Sequence, residues 1–142
     1  MSSITKEQFE YLMNLRKRFL NDDTVDLSRA WSKEVISLDE RESFLIDFDK
    51  STYEVRKMKL NERYRTSIVL IRLCTKKRHT NPDGTVFPDA HVHIYTEEFG
   101  DAEAHPVSIL GLKDGFTNDD AYNAFMDFCN VTSPRLQMMI ES

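Results

Sequence analysis

No apolar run in this chain is long enough to span a membrane. Its first residues, Met1-Ser2-Ser3-Ile4-Thr5-Lys6-Glu7, lack the basic-then-apolar order of a secretion signal. Cysteine is nearly absent. Cys74 and Cys129 are too few and too far apart in sequence for a zinc-thiolate motif or a disulfide framework, and both read as buried, reduced small hydrophobes. There is no Gly-rich phosphate loop, no HExxH, no GxSxG and no Cys–His nucleophile pattern. Histidine is missing everywhere except residues 79–105. These absences describe a soluble, cytoplasmic protein with no membrane partner and no standard hydrolase or nucleotide-binding signature.

What is present suits a folded domain. The 142 residues are 40% apolar and 11% aromatic, enough for one domain over 1–142 with a full core. Thr5 can cap a first helix, with Gln8 completing a capping box. Phe9, Leu12, Met13, Arg16, Phe19 and Leu20 then keep helical spacing until Asn21-Asp22-Asp23. From about residue 30 the period shifts toward strands, expected over 30–38, 43–49, 52–60 and 67–74, with short hairpin links at 38–41 and 49–51. Ile68-Val69-Leu70-Ile71 is apolar on both faces, as a covered central strand would be. A further strand is expected at 91–96 and a shorter one near 107–110. Thr117 should cap a closing helix that buries Tyr122, Phe125, Met126 and Cys129 and is limited by Pro134. The predicted fold is α+β: an antiparallel, meandering β-sheet flanked by an N-terminal and a C-terminal α-helix.

Charge is unevenly spread. The net charge is −5, yet residues 56–79 hold nine Lys and Arg against one acid, Glu62. Arg56, Lys57, Lys59, Arg63, Arg65, Arg72, Lys76, Lys77 and Arg78 could form a ridge for phosphate or for an acidic protein surface. The competing reading is that they pair with acids on neighbouring strands and solubilise a sheet.

The basic block leads into all four histidines, His79, His91, His93 and His105. His91-Val92-His93 in a strand puts two imidazoles on one face, where they can bind a metal, hold a phosphate or pass a proton. His79, His91 and His93 are the candidate catalytic groups. No cofactor is required by any motif. A divalent metal, if one binds, would use His91 and His93 with a carboxylate such as Asp89 or Asp101. Metal-free proton shuttling at a phosphodiester is the other chemistry open to these imidazoles. The plain alternative is that both are polar strand residues bonded to neighbours, with Val92 and Ile94 toward the core. His91-x-His93 followed by Glu97 or Glu98 resembles the first motif of the cupin family. Gly84 and Gly100 fall at the wrong spacing, however, and no later histidine supplies a second motif.

Several blocks occur together in order: Ser37-Leu38-Asp39-Glu40-Arg41-Glu42-Ser43-Phe44, Arg63-Tyr64-Arg65, Ile68 to Leu73, His79-Thr80-Asn81-Pro82-Asp83-Gly84, Pro88, His91-Val92-His93-Ile94-Tyr95 and Gly100-Asp101 with Pro106. The whole resembles an uncharacterised family of small bacterial and prophage proteins, a domain of unknown function. That resemblance implies tyrosine or another aromatic where His105 stands, which weighs against an essential role for His105. Tyr64 and Tyr95 read as packing residues able to donate a hydrogen bond. A prophage-type domain implies a binding protein in phage–host conflict: an inhibitor of a defence system such as an anti-CRISPR, or a toxin–antitoxin component. Its expected partner is a protein or ribonucleoprotein, with nucleic acid reached through residues 56–79. The alternative function is a histidine-dependent nuclease or phosphoesterase, or another small metal enzyme, built on His91 and His93.

Overall fold

The computed structural model describes residues 3–21, 24–54 and 56–132. Helix α1 (Lys6–Asn14) opens on the capping box: Thr5 Oγ1 accepts from the Gln8 amide, and the Gln8 side chain accepts from the Thr5 amide. The helix is shorter than its sequence pattern. Leu15 turns extended, and β1 (Lys17–Phe19) follows at once, pairing with β2 (Trp31–Ser37) on one side and with β10 (Val131–Thr132) on the other. Arg16, Phe19 and Leu20 therefore do not belong to the helix. Phe19 buries through strand alternation instead, because the backbone gains two ladder partners that a further helical turn would forgo.

Strands β2, β3 (Ser43–Lys50), β4 (Met58–Tyr64) and β5 (Ile68–Cys74) form an antiparallel run. Then come β8 (His91–Ile94) and β9 (Ala104–His105), giving an eight-stranded sheet in the order β10-β1-β2-β3-β4-β5-β8-β9. Among the described residues only the β1–β10 pair is parallel. The meander is thus interrupted twice, by the parallel closing strand and by a separate hairpin, β6 (His79–Thr80) and β7 (Val86–Phe87), inserted between β5 and β8.

Two expected strands are displaced. The strand read at 52–60 begins at Met58, since Ser51 Oγ accepts from the amides of Tyr53 and Glu54 and holds a loop there. The short strand read near 107–110 is a 3-10 turn, Val107–Leu110, ended by Gly111 at φ 84°. Pro106 has no amide to donate and presets φ at the entry to that turn. Helix α2 (Asn118–Phe128) is capped by Thr117 and buries Tyr122, Phe125 and Met126, while Cys129 forms its C-cap. Pro134 lies outside the described residues.

Both helices join the inward-facing strand residues Val35, Phe44, Ile46, Phe48, Leu60, Ile71 and Leu73 in one core. Register slips by one residue between Glu62 and Arg63, leaving Leu70 as the extra residue of β5. That bulge explains why Leu70 and its neighbour Ile71 are both fully buried. On the opposite face Ser32, Asp47, Asn61 and Arg63 form one polar row, and Arg72, Cys74, His91 and His93 form another.

Candidate functional site

Asp47 organises the first row. Its carboxylate accepts from Arg63 Nε (2.6 Å) and Nη2 (3.0 Å), from Asn61 Nδ2 (2.6 Å) and from Ser32. Burial alone would raise the pKa of Asp47, but these donors, Arg63 foremost, hold it below the usual carboxylate value. Arg63 Nη1 also donates to the Thr66 carbonyl, so every nitrogen of this half-buried guanidinium has a partner within the protein. Arg72 is paired with Asp101 at 3.0 Å, and Lys76 with Glu54. Arg65 lies over the Tyr64 ring, 4.9 Å from its centroid.

The basic block of the sequence is therefore not one ridge. Strand alternation and loops send its members to different places. Lys57, Lys59, Lys76 and Lys77 converge on a cavity of about 260 Å³ at one end of the sheet, joined by Lys50 and with Cys74 in its wall. Arg63 and Arg65 line a separate cavity over β2 and β3, and Arg56 borders a third against the 114–118 segment. Arg78 is exposed and borders none of these three. Among the described residues Lys50, Lys57, Lys59 and Lys77 have no hydrogen-bond or ion-pair partner for their ammonium groups. Lys50 lies outside residues 56–79. Its membership follows from the β3–β4 register, which sets Lys50 opposite Met58.

Next to this pocket is a cluster of histidines. In the β5–β8 ladder Cys74 faces His91 and Arg72 faces His93. The β6–β7 hairpin folds over them. The His79 ring stacks on His91 with centroids 5.5 Å apart and meets His93 edge-on at 4.5 Å, while Phe87 sits 6.2 Å from His91. His91 and His93 are themselves 4.9 Å apart. The hairpin is pinned by Asn81, whose side chain accepts from the Ala104 amide (2.7 Å) and donates to the Ala104 carbonyl (2.9 Å), as a paired strand residue would.

Covered this way, His91 is 1% exposed and His93 2%. Desolvation lowers the pKa of both, assisted by the charge of Arg72, and takes His93 to about 4. Both rings are thus neutral at physiological pH. Cys74 is 5% exposed and its thiol is pushed up by burial, so it is no free nucleophile. Ligand atoms of Cys74, His91 and His93 all lie within 4.8 Å of one another.

Of the residues singled out from sequence, His79, His91 and His93 do come together. The Asp89 side chain is exposed, and only its backbone carbonyl reaches His91 Nδ1 (2.9 Å). The Asp101 carboxylate is held by Arg72. His105 stands apart, its nearest acid being Glu103 at 3.9 Å. Sequence reading passed over Cys74 as an inert hydrophobe; the one signal was its place at the end of β5, two residues after Arg72 on the same face.

The fold and site define an α+β protein whose large, mostly antiparallel sheet carries a lysine-lined pocket at the ends of β3, β4 and β5 and a buried histidine–cysteine cluster on β5 and β8. Residues 4–132 match the model of a family of unknown function, DUF6978, and the chain belongs to that family. No curated protein and no solved structure matches it. No helix among the described residues is long and apolar enough to cross a membrane.

Proposed function

We propose that this protein is a binding module that captures a partner carrying clustered negative charge, the acidic face of a protein or a ribonucleoprotein. The observation behind this reading is the pocket ringed by Lys50, Lys57, Lys59 and Lys77, whose ammonium groups make no hydrogen bond or ion pair among the described residues, although Asp49 also lines it and Glu54 feels the charge of Lys57. Unpaired, like-charged lysines around a concavity repel each other and attract anions, and an anionic partner relieves that repulsion. Arg63, Arg72 and Lys76, by contrast, are already paired and contribute less to capture. The setting proposed is phage–host conflict in bacteria, as an inhibitor of a defence system such as an anti-CRISPR or as a toxin–antitoxin component. In either setting a small protein with a basic pocket can cover the acidic surface that its partner needs for its own work.

A histidine-dependent nuclease or phosphoesterase is the weaker reading. Three imidazoles lie close together, but the two on β8 are almost wholly covered by the hairpin, where no phosphodiester reaches them. The test is capture of the native partner by the wild type and by the Lys57→Glu/Lys59→Glu/Lys77→Glu variant. The variant should lose at least tenfold in affinity with its melting temperature little changed, because all three side chains are exposed. Undiminished capture would overturn the pocket as the binding surface. If phosphates are what it grips, the slope of log K against log salt should flatten by about 2 to 3 in the variant.

A further inference from the structure

Three histidine rings and one thiol converge beneath the β6–β7 hairpin, and their hydrogen bonds dictate which ring nitrogens are free. A backbone carbonyl only accepts, so the nitrogen bonded to it must carry the proton. His91 Nδ1 is 2.9 Å from the Asp89 carbonyl, which leaves the lone pair on Nε2. His79 Nε2 is 2.9 Å from the Ala102 carbonyl, which leaves the lone pair on Nδ1. His93 Nδ1 is buried with no hydrogen-bond partner among the described residues. A carbonyl clamping one imidazole nitrogen while the other stays free is the arrangement that orients histidine ligands to a metal.

We infer that Cys74, His91, His93 and His79 form a closed structural site for Zn²⁺, with His79 as the fourth ligand, stapling the β6–β7 hairpin to the edge of the sheet. The spacing agrees. With Zn–N near 2.0–2.1 Å a ring centroid lies about 3.2 Å from the ion, and tetrahedral angles set centroids about 5.2 Å apart. The three observed separations, 4.5, 4.9 and 5.5 Å, bracket that value. The ligand atoms of Cys74, His91 and His93, within 4.8 Å of one another, need a modest contraction to the roughly 3.3–3.6 Å of a tetrahedral set; His79 is not among the atoms already that close, and its Nδ1 joins them by a further inward swing of the ring.

One thiolate with three imidazoles suits Zn²⁺ better than Mg²⁺ or Ca²⁺, which take oxygen ligands. Binding exchanges the Cys74 S–H bond for an S–Zn bond and releases that proton to solvent. Burial of three of the four residues argues for a closed structural site; a catalytic one would keep a position open to substrate. This inference does not depend on the lysine pocket.

The test uses the full chain, stripped with chelator and titrated with Zn²⁺ or Co²⁺. One equivalent of Zn²⁺ should raise the melting temperature by several degrees, since it binds only the folded state tightly. One equivalent of Co²⁺ should give intense tetrahedral d–d absorption and a thiolate-to-cobalt charge-transfer band. That band should persist in Cys129→Ser and vanish in Cys74→Ser. His79→Ala should weaken Co²⁺ binding at least tenfold. A wild-type Co²⁺ spectrum without the charge-transfer band, or no stoichiometric binding of either ion, would overturn the site without relying on any variant folding. Unchanged affinity in His79→Ala would remove His79 as a ligand and with it the stapling role.

Discussion

At Glu62 a carboxyl group with 0% exposure occupies a core position of β4, continuing the alternation Met58, Leu60, Glu62, Tyr64. Neither of its oxygens meets an N–H or O–H donor among the described residues, only the weakly donating Cys129 thiol being close, and desolvation raises its pKa from 4.5 to about 7 against the opposing effects of Lys17 and that thiol. Lys17 is equally buried. Its Nζ donates to the carbonyls of Cys129 (2.7 Å), Leu15 (3.0 Å) and Met13 (3.3 Å), which ties β1 to the ends of both helices. A carboxyl whose folded pKa exceeds its unfolded one holds its proton in the native state while the unfolded chain has released it. Stability from this group is therefore complete below pH 4.5 and declines as pH rises through 7. A shift of this size corresponds to about 3 kcal/mol. Thermal unfolding from pH 5 to 8 should show that decline in the wild type, and Glu62→Gln should flatten it. An unchanged pH profile in the variant would place the titration elsewhere. The strand expected over 52–60 stopped short of Glu62, which stood out only as the one acid of residues 56–79; its inward position came with the longer β4 of the structure.

Asn81 acts on the scale of an element. It is 7% exposed and replaces a strand residue by pairing its side chain with both polar backbone groups of Ala104. The adjoining Pro82-Asp83-Gly84 forms the tip, where Gly84 takes φ 92° and donates its amide to the Asn81 carbonyl. Turn chemistry at 81–84 was evident in the sequence. That Asn81 anchors the hairpin to β9 was not, because its partner is 23 residues away. Asn81→Ala should cost about 2–3 kcal/mol by leaving two backbone groups of Ala104 unpaired. Hydrogen exchange at residues 79–87 should accelerate well beyond that of β3 and β4; uniform acceleration would show that the hairpin does not open by itself. The early end of α1 belongs to the same scale. Helical spacing of Phe9, Leu12, Met13 and Phe19 ran on past Asn14, yet strand pairing with β2 and β10 won.

Across the whole molecule the segment entering α1 is fastened to β8 and its continuation. The Tyr95 hydroxyl donates to the Ile4 carbonyl and accepts from the Ile4 amide, both at 3.0 Å, and its ring stacks on Phe9 at 5.9 Å. The described C-terminal strand, β10, returns to lie parallel to β1. Tyr95→Phe keeps the aromatic packing but strips both Ile4 groups of their partner. It should lower stability by about 1–3 kcal/mol and expose the 3–14 segment to proteolysis before the rest of the chain. Cleavage first at another segment would show that α1 is held by its apolar face alone.

The sequence by itself determined what depends on neighbours along the chain. The capping box at Thr5, the N-cap at Thr117, the antiparallel run of β2, β3 and β5, the turn at 81–84 and the common face of His91 and His93 all follow from local spacing. The α+β class followed from the same signals. Tertiary structure alone decided which residues meet across the fold. It scattered one basic block, sending most of its members to three cavities while Arg72 went to Asp101 and Arg78 to the surface, brought Lys50 to the lysines and turned Cys74 from a small hydrophobe into a neighbour of two histidines. The physical reason is register: a strand pairing shifted by one residue would send Cys74, His91 and His93 to the other face, and nothing within either strand records which partner it will take.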